Sequence, residues 1–145
     1  MSALSVVSVA DRAGFHIFAT ALRSSAHFAK LEGDGPFTVF APTDAAFKTL
    51  SVAALDSFLN DDREHRELVL GYHFAAGRVA SSRLVGKRIR AVMQAGGDAI
   101  IDGRSAGLKV NAARVCKPDL VARNGVVHGI DALLSPNLAM VATAS

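Results

Sequence analysis

"GPFTVFAPTDAAF", Gly35 to Phe47, changes its structural period in mid-stretch. "FTVFAP" is short and rich in β-formers, and "EGDGP" breaks the chain just ahead of it, so it reads as a strand. Pro42 ends that strand. Thr43 is a good N-cap and Asp44 falls in the first helical turn, so "TDAAFKTL" is expected to begin a helix. Phe37, Val39, Phe40 and Phe47 are then candidates for the core.

Upstream, "GFHIFATALRSSAHFAKL" repeats Phe15, Phe18, Leu22 and Ala26 at three- and four-residue spacings, the stripe of one amphipathic helix. Downstream, Ser51 is expected to cap a short helix, "VAALDSFL". Asp61 or Asp62 opens another, "REHRELVL", with Asp62/Arg66 and Arg63/Glu67 on an exposed face and Leu68 and Val69 facing the core. Helical character fades near Gly71. From Gly77 the texture changes: "GRVASSRLVGKRIRAVM", "DAIIDG", "LKVNAARV" and "NGVVHGIDALL" are β-rich segments separated by glycine turns. Helices come first and strands later, which predicts an α+β class in one domain over residues 1–145, with its core at about 4–136 and a tail over 137–145.

The 145 residues are 50% hydrophobic and 20% charged, enough to form a core without staples. Cys116 is the only cysteine, so no internal disulfide can form, and a small buried hydrophobe is the default for it. The formal charge is +3. Its tightest cluster is Arg83, Lys87, Arg88 and Arg90, where Arg88 and Arg90 would share the solvated face of a strand. No aromatic residues interleave with these cations, so no nucleic-acid partner is expected. No apolar run approaches the roughly 20 residues that span a bilayer. "MSALSVVSVADRAG" has no basic n-region and no long h-region, so it is not read as a signal peptide. Either the protein stays inside the cell, or an export signal is not part of this chain.

Catalytic chemistry finds no foothold. Gly103-Arg104-Ser105-Ala106-Gly107 matches G-x-S-x-G, but a nucleophile elbow needs a helix after the serine, and "LKVNAARV" has a strand pattern. Ser105 is therefore expected in a hairpin loop. His16 and His27, eleven residues apart on a helix, would lie about 16 Å from each other, too far to share a metal. No H-x-x-x-H or paired C-x-x-C spacing is present, so neither a metal site nor a cofactor is expected. In a strand, His128 would point with Val126 and Ile130, away from Asp131, which predicts a buried, hydrogen-bonded histidine rather than a catalytic pair.

Three stretches, "GPFTVFAPTDAAF" (Gly35 to Phe47), "ELVLGYHFAAGRV" (Glu67 to Val79) and "NGVVHGIDALLSP" (Asn124 to Pro136), resemble in order and spacing the two signature blocks and central Tyr-His element of the fasciclin domain. The resemblance implies a wedge of mainly antiparallel strands flanked by the helices of the first half. It assigns motif roles to Thr38, Phe40, Pro42, Thr43, Asp44 and Phe47, and to Asn124, Gly125, His128 and Asp131. It further implies a monomeric, non-enzymatic adhesion or surface-interaction module, placed outside the cell, in a periplasm or at the cell surface. The implied partner is a cell-surface or matrix protein, including an integrin-like receptor. Tyr72 and His73 match the Tyr-His element, and Asp119 and Leu120 match the segment linked with adhesion, with leucine where isoleucine is usual. Beside Leu70 and Phe74, Tyr72 and His73 also suit a buried junction, and Asp119 after Pro118 suits a turn. The alternative implied by the family is binding of a small hydrophobic, carotenoid-like ligand.

Overall fold

The structure, a computed structural model, describes residues 4–48, 63–94, 98–104, 107–111 and 113–134. The expected cap at Ser51, the helix "VAALDSFL", the start at Asp61 or Asp62, the Asp62/Arg66 pair, Ser105 and the tail lie outside these residues.

Helix α1 (Val6–Arg12) is capped by Ser5, whose hydroxyl accepts the Ser8 amide at 3.3 Å. The expected long helix is two pieces, α2 (His16–Arg23) and α3 (Phe28–Leu31). Ser25 divides them: its hydroxyl donates to the Leu22 carbonyl at 2.7 Å and accepts the His27 amide at 3.2 Å, an alternative to helical bonding. The break turns Ala26 out to solvent, so the apolar stripe ends at Leu22.

Strand β1 (Phe37–Pro42) leads into α4 (Asp44–Lys48). Thr43 caps α4 as expected, accepting the Ala46 amide at 3.1 Å. Asp44 falls in the first turn of α4 as expected, and its carboxylate also reaches across to the start of α2, where it accepts the Ile17 amide at 2.8 Å. Helix α5 (Arg63–Gly71) follows, with Val69 and Leu70 buried. Leu68 is 49% exposed rather than in the core.

The strands β2 (Phe74–Ala76), β3 (Arg88–Val92), β4 (Asp98–Asp102), β5 (Lys109–Val110), β6 (Ala113–Ala122) and β7 (Gly125–Ile130) join β1 in one sheet ordered β2-β1-β7-β6-β5-β4-β3. Among the described residues only β1 and β7 pair in parallel. The fold is α+β with a mostly antiparallel sheet. The Gln94 amide donates to the Phe74 carbonyl at 2.9 Å, so the end of β3 curls back to β2.

This curl makes two apolar cores. Helices α1 and α2 cover one side of the sheet, where Phe18, Leu22, Phe37, Val39, Phe47 and Val127 pack together. Phe40, Tyr72, Leu84, Met93, Ile101 and Ile130 fill the other. Strands β1 and β7 run between the cores and are buried on both faces, so neither shows the alternation of a half-exposed strand. Their registration depends on Gly125: a Cβ there would lie 2.1 Å from the Phe37 carbonyl oxygen.

Candidate functional site: the β6 bulge and the groove beside it

Strand β6 does not run evenly. Its pairing with β7 slips between Val115 and Lys117 and again between Lys117 and Leu120. Pro118 has no amide to donate, and Asp119 takes φ +60°, a left-handed conformation uncommon outside glycine. Asp119 therefore stands on a bulge within a strand, where the sequence suggests a loop. Leu120 is half-buried and packs towards the helix-side core.

The bulge is held from three directions. The Asp119 amide donates to Nδ1 of His128 at 3.1 Å. The Asp119 carboxylate accepts the Ser81 amide at 2.8 Å and the Ser81 hydroxyl. Nε2 of His128 lies 2.8 Å from the Val79 carbonyl oxygen. An amide can only donate and a carbonyl can only accept, so His128 is neutral with its proton on Nε2. Its ring stacks on Phe40 at 5.8 Å between centroids and is 1% exposed. Thr38 completes the arrangement by donating to the Gly77 carbonyl at 2.6 Å and accepting the Val79 amide at 2.9 Å. Thr38, His128 and Asp119 thus strap residues 77–81 across the sheet.

Electrostatics follow from these contacts. Burial lowers the His128 pKa, partly opposed by the Val79 carbonyl and the Asp119 charge. Desolvation raises the Asp119 carboxyl, but the Ser81 hydroxyl and amide and His128 outweigh it and leave it below its ordinary value. Although serine, aspartate and histidine meet here, the serine donates to the carboxylate and the imidazole accepts a backbone amide. The imidazole does not reach the hydroxyl, whose contact is the carboxylate itself, so the serine–histidine–aspartate order of a triad is not formed and the contacts strap backbone. Around Ser105, β4 and β5 pair antiparallel with Ile101 opposite Val110, so a strand follows where an elbow requires a helix.

Beside the bulge lies a groove of about 440 Å³ lined by Ser81, Val85, Gly103, Leu108, Val115 and Pro118. Val85 is 70% exposed at its edge. This groove lies on the strand side of the molecule. Among the described residues no group of three or more His, Cys, Asp or Glu is placed to hold a metal ion.

Tyr72 and His73 are placed apart from the bulge and both are buried. Being consecutive, they enter opposite cores. Tyr72 packs with the sheet-side residues, and its hydroxyl donates to the Asp98 carbonyl while receiving Nδ2 of Asn111 at 3.3 Å. His73 meets Phe18 at 5.6 Å. Its Nδ1 lies 2.6 Å from the Val69 carbonyl oxygen and its Nε2 accepts the Leu134 amide at 2.9 Å. Desolvation, opposed by the Val69 carbonyl, lowers its pKa to about 4. Neither side chain presents itself to a partner: the pair ties α5, β4 and the chain after β7 together.

Of the remaining motif residues, Asn124 joins three elements. Its Oδ1 accepts the Val6 amide at 3.0 Å, and its Nδ2 donates to the Leu31 and Gly33 carbonyls at 2.6 and 2.8 Å. Asp131 accepts the Arg114 amide at 2.8 Å, away from His128. Cys116 is exposed, not buried, because the irregular part of β6 leaves its side chain outside both cores. Sequence reasoning missed Ser81 and Val79. No local signal marks them, since their partners lie 38 and 49 residues away.

Residues 13–136 match the fasciclin domain profile. The chain belongs to the fasciclin domain family. It is 32% identical over 139 residues to protein sll1483 of Synechocystis sp., covering 93% of this chain and 75% of that protein. It is 36% identical over 102 residues to the cell surface glycolipoprotein MPB83 of Mycobacterium bovis, covering 70% of this chain and 44% of that protein. The fold matches a domain pair from the insect cell adhesion molecule Fasciclin I with a TM-score of 0.80, at 18% identity, over 94% of this chain and 52% of that one.

Proposed function

We propose that this chain is a non-enzymatic surface-interaction module that contacts a cell-surface or matrix protein through the β6 bulge. The observation that carries this reading is the exposed Asp119, fixed on a rigid strand irregularity by Ser81 and His128. A carboxylate so held meets a cation or a donor-rich protein surface with little loss of conformational freedom. Membership of a family that includes a cell surface glycolipoprotein and a cell adhesion molecule supports it, as does the serine–carboxylate contact that gives no activated nucleophile. An integrin-like receptor is one such partner. Tyr72 and His73 are buried and tie α5, β4 and the chain after β7 together, so the reading rests on Asp119 and Leu120. The test is binding to cells or matrix by the parent and Asp119→Asn, which preserves the cap while removing the charge. Unchanged binding by a folded Asp119→Asn would reject the site.

A second reading is supported by the groove beside the bulge. Its apolar lining from Val85, Leu108, Val115 and Pro118 suits a small hydrophobic ligand. Leu108→Asp would then abolish any thermal shift produced by apolar dyes or carotenoids. A parent protein whose melting temperature ignores such compounds would dismiss this reading.

A further inference from the structure

The strand registers line up charged residues that are scattered in sequence. Arg88 on β3 is directly opposite Asp102 on β4, which is opposite Lys109 on β5, which is opposite Arg114 on β6. Directly opposed residues share a face, so all four side chains stand in one transverse row. Arg88, Lys109 and Arg114 are exposed, as are Arg90 and Arg104 nearby. The two carboxylates on this face are already engaged. Asp102 takes two bonds from the Arg104 guanidinium, both at 3.1 Å, and Asp98 faces Arg90 at 3.6 Å. Beside the row, Asp131 spends one oxygen on the Arg114 amide. Among the described residues no carboxylate forms an ion pair with the side chain of Arg88, Lys109 or Arg114.

We propose that this face binds a linear acidic polysaccharide, laid across the strands so that its anionic groups meet Arg88, Lys109 and Arg114. With strands about 4.8 Å apart, Lys109 stands about 10 Å and Arg114 about 15 Å along the line from Arg88. That is an extended, rigid track of positive charge, suited to a chain that repeats its carboxylates or sulfates along its length. Guanidinium groups add paired donors for such oxyanions. The face lacks what the other polyanions use. Stacking of nucleic-acid bases requires exposed aromatics, and here Tyr72, Phe18, Phe37, Phe40, Phe47 and Phe74 are all buried. Insertion into an anionic bilayer requires a band of bulky apolar residues, and among the described strand residues that share this face the apolar ones are Val92 and the half-buried Ile100.

The inference rests on a surface-facing role for the protein, but it uses the face of β3 to β6 rather than the bulge at Asp119. The probes are heparin and polygalacturonate, with neutral dextran as the reference, titrated against the purified full chain at low and high salt. The parent is expected to bind at least one of the two anionic polymers at low salt and to release it at high salt. Lys109→Glu/Arg114→Glu is expected to weaken binding about tenfold or more, equivalent to about 1.4 kcal/mol. Arg12→Glu/Lys30→Glu, an equal charge change on exposed helix positions, should leave binding within about twofold, and so should Asp119→Ala. Thermal melts check that each variant folds, and Lys109→Gln/Arg114→Gln replaces the first variant if it does not. The proposal is overturned if the parent binds neither polymer, or if dextran binds equally. It is also overturned if the helix variant loses as much, or if DNA, polyglutamate or phosphatidylserine vesicles compete equally. Loss of cell binding in Asp119→Asn with polymer binding intact separates the two sites.

Discussion

Asp119 and Ser81 are 38 residues apart in the chain, yet the carboxylate of one accepts both the amide and the hydroxyl of the other. The contact turns an exposed acid into the cap of a single 3-10 turn at Ser81–Arg83, and it fixes the direction in which β6 presents its bulge.

Replacing Asp119 tests both its contacts and its backbone. Asp119→Ala is expected to cost about 1–3 kcal/mol, combining a lost cap with an alanine held at positive φ. Asp119→Gly loses the cap but relieves the backbone, so it should melt above the alanine variant. Differential scanning calorimetry on the pair decides this, and the reverse order would reject the strained conformation.

Acid should destabilise the fold through its buried histidines. The His73 pKa falls from 6.5 to about 4, and that of His128 is also lowered. The unfolded chain therefore takes up protons first, and stability present above pH 6.5 is lost as pH falls towards about 4. Urea midpoints measured across that interval should decline in the parent. His73→Leu should be less stable near neutrality but show a flatter pH profile, because one of the two titrating groups is gone.

His128→Ala should cost about 1–3 kcal/mol at neutral pH, since the Asp119 amide and the Val79 carbonyl each lose their ring partner. Hydrogen exchange offers a sharper measure than melting. The Val79 and Asp119 amides should exchange faster while α1 keeps its protection. Equal melting temperatures for parent and variant would reject the strap.

Gly125→Ala should be more damaging than its one added methyl suggests. The new Cβ would fall 2.1 Å from the Phe37 carbonyl oxygen, which belongs to the backbone of the parallel β1–β7 pairing. A loss of about 3 kcal/mol, or failure to fold, is expected in urea denaturation, because β1 cannot withdraw without losing its ladder. Asn124→Ala, next to it, removes three hydrogen bonds at once and should loosen α1 first, read as faster exchange at Val6.

The alternation in "KRIRAVM" and the switch at Pro42–Thr43 are local, and they correctly indicate an exposed strand face on β3 and a capped α4. Period and caps depend on residues within one or two turns, so a single sequence carries them. Three well-spaced motif blocks were likewise enough for the family. The long amphipathic stretch divides where the Ser25 hydroxyl bonds to its own backbone, and Leu68 is exposed because burial depends on what packs against α5, which no local signal carries.

Amino-acid order alone determined the class, the strand-to-helix switch at Pro42–Thr43, and most of the residues able to fill an apolar interior, because propensity and hydrophobic period act over short chain distances. Tertiary structure alone decided that Tyr72 and His73 enter opposite cores, that Asp119 closes on Ser81, and that Arg88, Lys109 and Arg114 form a line. Each of these depends on strand register and sheet curvature, which arise only when segments tens of residues apart pack together and bury their backbone polar groups in common.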